Sequence, residues 1–151
     1  MERVARVLRA AAIDARLEEL PTRTPTAEAA AQAVGCDQSQ IVKSLVFVCD
    51  ERPVLALVPG DRRADAARIA ESSGAERARI ASAEEVVAAT GFEAGGVAPF
   101  PVDGVTRVLL DRGLLVHDFV WIGAGSSRHM AALAPLDLVR LAQAEAADIS
   151  S

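Results

Sequence analysis

Residues 41–58 read IVKSLVFVCDERPVLALV, two apolar runs rich in β-branched residues, 41–49 and 53–58, flanking the polar turn Asp50-Glu51-Arg52. Runs of this kind around a short polar turn form a β-hairpin. Their near-continuous apolarity, without alternation, requires cover on both faces. Pro59-Gly60 ends the second strand. One residue breaks the apolar run: Lys43, near the start of the first strand. A lysine in a run otherwise covered on both faces must reach solvent, a partner or an anion.

The remaining pattern supplies the cover. Val4, Val7, Leu8, Ala11, Ile13 and Leu17 recur at helical spacing and predict an amphipathic helix over 2–19. Thr24 and Pro25 suit an N-cap and first helical position for TAEAAAQAV, which Gly35 closes. RRADAARIAESS reads as a helix ended by Gly74. Ser82-Ala-Glu-Glu85 is a capping box opening a helix that ends at Gly91. VTRVLLD and LLVHDFVWIG predict strands around a turn at Asp111-Arg112-Gly113. GAGSSRHMAAL predicts a loop and a short strand, and Pro135 opens the last helix, LDLVRLAQAEAA, with DISS as a frayed tail. Helices and hairpins without a strict βαβ rhythm predict an α+β fold, a mixed sheet with helices packed on it.

The chain has 151 residues, enough for one domain, 1–151, with a real core. It carries no apolar run near the ~20 residues a membrane span needs, and no signal-type segment is read in MERVARVLRA. Cys36 and Cys49 are no disulfide framework, and with two histidines they make a poor metal set. A reduced, cytoplasmic protein without metal or other cofactor is therefore expected. A net charge of −5 and a pI near 5.0 argue against tight nonspecific binding to polyphosphate. A local basic patch is compatible with that charge: Arg62, Arg63, Arg68, Arg77 and Arg79 follow one another closely.

Established catalytic signatures are absent: no G-x-G-x-x-G after a strand, no P-loop, no G-x-S-x-G elbow. GAGSS at 123–127 lacks the lysine and helix of a phosphate loop. His117 and His129 are lone imidazoles with no partner in sight and read as structural. The loop 91–101, GFEAGGVAPFP, is unusual, with glycines, prolines and two phenylalanines but one charge. Gly95 and Gly96 would let a backbone approach a ligand closely, and Pro99 would stiffen the exit.

Taken in order, QIVKSLVF, PVLALVPGDRRAD, GFEAGGVAPF, VLLDRGLL and FVWIGAGS resemble the YbaK/prolyl-tRNA-synthetase-associated editing-domain family, from about Thr26 to Leu138. The resemblance implies a compact α+β domain with a mixed, mostly antiparallel sheet or partial barrel and surrounding helices. It implies hydrolysis, in trans, of mischarged aminoacyl-tRNA, with a small amino acid such as Cys, Ala or Ser on proline tRNA. Its expected partners are the tRNA acceptor end, with prolyl-tRNA synthetase or an elongation factor delivering it, and no membrane. It implies that Lys43 contributes to substrate binding and activity. The family's G-x-x-x-P loop maps onto Gly95-Gly96-Val97-Ala98-Pro99, with Gly95 and Pro99 in the catalytic set. Gly96, Val97, Ala98 and Phe92 would contact substrate, as would Gly125 and Ser126 in the glycine-rich turn. The chain departs from some relatives beyond Ser127, where it reads SRHM for 127–130. A noncatalytic tRNA- or synthetase-binding module of the same fold, and a hydrolase of other activated esters, are the alternatives.

Overall fold

The structure, a computed structural model, describes residues 2–24, 26–92, 97–99, 104–126 and 128–151, excluding the side chains of Glu2, Arg3 and Ser126. In chain order the elements are α1 (Glu2–Ala10), β1 (Arg16–Glu19), α2 (Ala27–Val34), β2 (Val42–Cys49), β3 (Arg52–Pro59), α3 (Ala66–Ser73), β4 (Ala78–Ile80) and α4 (Ala83–Thr90). Then follow β5 (Arg107–Asp111), β6 (Val120–Ser126), β7 (His129–Leu133), α5 (Pro135–Ala142) and β8 (Glu145–Ala147).

The expected hairpin is the centre of the larger sheet. β2 and β3 pair antiparallel, and the strand order is β4-β2-β3-β5-β8, with β3–β5 and β5–β8 parallel. Both faces are covered, as the continuous apolarity requires. Leu55 and Leu57 join the core with Val42 and Val46, while Val54, Ala56 and Val58 pack with Phe47, Cys49, Ile69 and Ile149. The hairpin turn is tighter than the sequence suggests. Only Asp50 and Glu51 form it, both with positive φ (48° and 70°). A left-handed pair without glycine is strained, and here it is tied down. The Asp50 carboxylate accepts from the backbone N–H groups of Glu76 (2.9 Å) and Arg77 (3.1 Å), bonds that also hold this carboxyl below its usual range.

A second, antiparallel sheet has the order β1-β7-β6. Among the described residues a single parallel bridge, Ile41 to Trp121, joins it to the first. The fold is thus α+β with a mixed sheet, as expected, and no closed barrel forms among the described residues.

Helix ends follow local chemistry. Gly35, Gly74 and Gly91 all take left-handed φ at helix C-termini, and Ser82 and Glu85 form the reciprocal capping box. The N-cap of α2 is Thr26, whose Oγ1 accepts from Ala29 N at 3.1 Å, in place of Thr24; Pro25 lies outside the described residues.

Several segments differ from expectation. The helix expected from Arg62 starts only at Ala66, behind its N-cap Asp65, and the last helix ends at Ala142, where Gln143 turns left-handed and Glu145–Ala147 pairs with β5 as β8. The helix over 2–19 stops at Ala10, where the backbone turns left-handed at Ala12 (φ 55°), and residues 16–19 form an edge strand against β7 that leaves Leu17 38% exposed. Residues 112–116 form a 3-10 helix where a turn through Gly113 and a strand from Leu114 were expected; it opens where the Asp111 carboxylate accepts from Gly113 N at 3.0 Å, and β5 and β6 fall in different sheets. The C-terminal tail is docked. Ile149 is fully buried and its N–H donates to Asp111 Oδ1 at 3.0 Å, while Ser151 N donates to Arg63 O at 2.9 Å.

Candidate functional site

The two sheets separate beyond the Ile41–Trp121 bridge, and a cleft of about 540 Å³ opens there. On the other side, β4 pairs with β2 only at Phe47–Cys49. Among the described residues, no strand therefore covers this edge of β2 at 43–45. Backbone polarity on β2 follows from two bonds. Ile41 O accepts from Gly60 N at 2.7 Å, whereas Val46 O accepts from Ala81 N at 2.9 Å. Since main-chain groups alternate in direction along a strand, those of Ser44 face the open edge. By the same alternation, with Trp121 turned toward the bridge, those of Gly123 on β6 face it from the other side. The cleft is thus lined by backbone donors and acceptors that no ladder uses, the kind of group a polar ligand satisfies.

Lys43 lines this cleft. Its Nζ donates to the carbonyl of Arg62, which follows the Pro59-Gly60 end of β3. Burial is the largest influence on its ammonium and pushes the pKa below the usual lysine value; Asp61 raises it and Arg63 lowers it further. Lys43 and Leu45 lie on one face of β2, Ser44 and Val42 on the other. All four reach the cleft because it runs along the strand edge.

The greasy loop explains itself by burial. Phe92 packs in the main core, Val97 and Ala98 are buried there, and Pro99 is buried as well. Val97 reaches the cleft and so meets Lys43 across it. Ala98 has no exposed surface, backbone included, and does not line the cleft. Gly95, Gly96 and Phe100 lie outside the described residues. In the glycine-rich turn, Gly123 lines the cleft, and Gly125 (φ 101°) lies in an irregularity of the β6–β7 ladder. Ser126 pairs through its backbone with His129, and His129 lines the cleft.

Sequence reasoning missed several cleft residues. His129 has its Nε2 3.8 Å from Glu19 Oε2, a partner brought by the β1–β7 pairing and invisible in the local sequence. Gly60 lines the cleft between α2 and the turn at Gln38, whose Nε2 donates to Gly60 O at 2.9 Å. Ser44 is a third: its Oγ is buried and has no hydrogen-bond partner among the described residues. Leaving a buried hydroxyl unsatisfied costs about 1–3 kcal/mol, so a purely structural position would favour alanine.

Other chemistry is not assembled here. No group of three or more His, Cys, Asp or Glu able to hold a metal occurs among the described residues. Both thiols are raised by burial, and neither lines the cleft. The arginines of 62–79 are divided in their roles. Arg68 donates to Ser150 O at 2.7 Å, and Arg79 grips Glu85 at 2.8 and 2.9 Å. That grip, with the Ser82 N–H, holds the Glu85 carboxyl at about 2 instead of 4.5. Because the folded value lies below the unfolded one, the contribution to stability is present above about pH 4.5 and is lost as pH falls through about 2. NMR titration should find this midpoint near 2, moving up in Arg79→Ala.

Residues 22–141 match the model of the aminoacyl-tRNA editing domain. The chain is 36% identical over 133 residues to the proline–tRNA ligase of Nitratidesulfovibrio vulgaris, covering 87% of this chain but 23% of that ligase. It therefore spans about a quarter of the length of such a relative. A candidate Cys-tRNA(Pro)/Cys-tRNA(Cys) deacylase of Enterococcus faecalis is 26% identical over 127 residues, 83% of this chain and 77% of that one. Among solved structures, a candidate trans-editing enzyme for prolyl-tRNA synthetase superposes with a TM-score of 0.90 at 37% identity, covering 99% of this chain and 96% of that one. No helix of the described residues is long and apolar enough to cross a membrane.

Proposed function

Because the chain belongs to the aminoacyl-tRNA editing domain family, we propose that it hydrolyses the ester of mischarged aminoacyl-tRNA, a small amino acid such as Cys, Ala or Ser carried by proline tRNA. The observation that carries this reading is the convergence of Lys43, Val97 and Gly123 on one cleft, from three separate stretches of sequence. An aminoacyl ester is already activated, so no covalent nucleophile is needed. Water adds to the ester carbonyl carbon and the oxyanion forms. Collapse then releases the ribose hydroxyl and the free amino acid. What the protein must supply is position and charge stabilisation. The backbone N–H of Ser44 on the open β2 edge would hold the acyl link, with main-chain groups of the 95–99 loop as the second grip expected of this reading. The Lys43 ammonium would stabilise negative charge on the oxyanion or the terminal nucleotide. In this reading Gly95 and Pro99 shape the loop, and Gly96, Val97, Ala98, Phe92, Gly125 and Ser126 form or support the walls. The acidic net charge of −5 suits a grip limited to the acceptor end, with prolyl-tRNA synthetase or an elongation factor handing over the RNA.

The test is a panel of Ala-, Cys- and Ser-charged proline tRNA incubated with the purified chain. The expected result is ester loss faster than in buffer for at least one. No acceleration on substrates shown to be intact would overturn the proposal, and binding with unchanged ester lifetime would make the chain a noncatalytic tRNA-binding module.

A further inference from the structure

The cleft is chemically uneven. Thr24, Gln38, Lys43 and His129 give part of its lining a polar character suited to ribose, ester and ammonium. The core side of β2 does not. There the neighbours of Ser44 are Val42 and Val46 along the strand and Leu57 across it, all 5% exposed or less. Val97 belongs to the same apolar cluster and also lines the cleft. Just beneath this surface the fold places one hydroxyl, Ser44 Oγ, buried and without a hydrogen-bond partner among the described residues. Ser150 shares that condition, and Ser73 has only the weak Cys49 thiol as a neighbour; neither lines the cleft.

We propose that Ser44 is a specificity-determining residue: its hydroxyl reads a hydrogen-bonding group at the end of the bound amino acid's side chain, favouring seryl over alanyl esters. The inference rests on the deacylase reading and deepens it. An apolar wall alone discriminates weakly between acyl groups differing by one small substituent. A buried hydroxyl that finds a partner only when the substrate brings one separates them more strongly, since the wrong substrate leaves it unpaired. A hydroxyl side chain can both donate to and accept from Ser44. A thiol does either weakly and falls between, and a methyl does neither.

The experiment compares kcat/KM of wild type and Ser44→Ala on Ser-, Cys- and Ala-charged proline tRNA, with melting temperature as a second readout. Wild type should prefer the seryl over the alanyl ester by about tenfold or more. Ser44→Ala should lower seryl hydrolysis by about tenfold and change alanyl hydrolysis by no more than about twofold, with no loss of melting temperature. An unchanged seryl-to-alanyl ratio overturns the proposal. An equal fall on all three esters also overturns it, because the hydroxyl would then serve a part common to all substrates. A lowered melting temperature with the ratio kept would make Ser44 structural and likewise overturn it. If wild type hydrolyses none of the three, the deacylase reading itself fails, an outcome distinct from a kept ratio.

Discussion

Lys43→Ala is expected to lower deacylation kcat/KM by about 100-fold or more, the scale seen when one preorganised group that stabilises developing charge is removed. The ammonium is half-buried at the cleft and fixed by the Arg62 carbonyl. Partial burial lowers its pKa, and a partly desolvated charge acts more strongly than one at a free surface. The loss of fold stability should be small. One hydrogen bond to a carbonyl contributes about 0.5–1.5 kcal/mol, a few degrees in melting temperature for a chain of this size. Lys43→Arg should restore only part of the rate, since a planar guanidinium does not replace a compact ammonium. Activity that depends on the charged form should decline on the alkaline side at a pH below 10.5. A loss of less than about twofold in Lys43→Ala, some 0.4 kcal/mol of barrier, would remove the lysine from the mechanism.

What could be read from the sequence divides by range. The capping box at Ser82 and Glu85, the glycine C-caps and the central hairpin were legible because each is fixed by residues within a few positions of one another. The segment 114–119 was misread because its apolar residues suggest a strand, yet Val116 and Phe119 are 79% and 54% exposed and β6 starts only at Val120. The docking of Ile149 was hidden because it depends on Asp111, a carboxylate far away in sequence. The site shows the same division. Lys43 announced itself as the single charge in an apolar run. Ser44 gave no signal, for serine is unremarkable in a strand until its hydroxyl is seen to lack a partner. His129 read as solitary because its neighbour Glu19 arrives through the β1–β7 pairing. The low polarity of 91–101, which looked functional, is in part structural, since Phe92, Val97 and Ala98 are core residues.

Gly60→Ala should be the most damaging small substitution at the cleft. A Cβ there would stand 2.6 Å from Gln38 O, 2.7 Å from Ala27 Cβ and 3.2 Å from Ile41 Cβ. None of these atoms can leave by a rotamer change, since each is backbone or fixed to it. The chain must instead push α2 and the Gln38 turn away from the end of β3, stretching the Gly60 N–H bond to Ile41 O. Overpacking of this kind costs about 2–3 kcal/mol, or roughly 4–12 °C in melting temperature. Activity should fall as well, measured well below the new melting point, because Asp61 and the Arg62 carbonyl that set the Lys43 ammonium follow Gly60 directly. The pair Gly60→Ala with Ala27→Gly isolates the cause. Removing the Ala27 methyl relieves one contact and leaves Gln38 O in place, so the double variant should recover part of the loss, a coupling of about 0.5 kcal/mol or more. A melting temperature for Gly60→Ala within about 1 °C of wild type, under about 0.5 kcal/mol, would mean that α2 yields freely and that this wall of the cleft is not rigid.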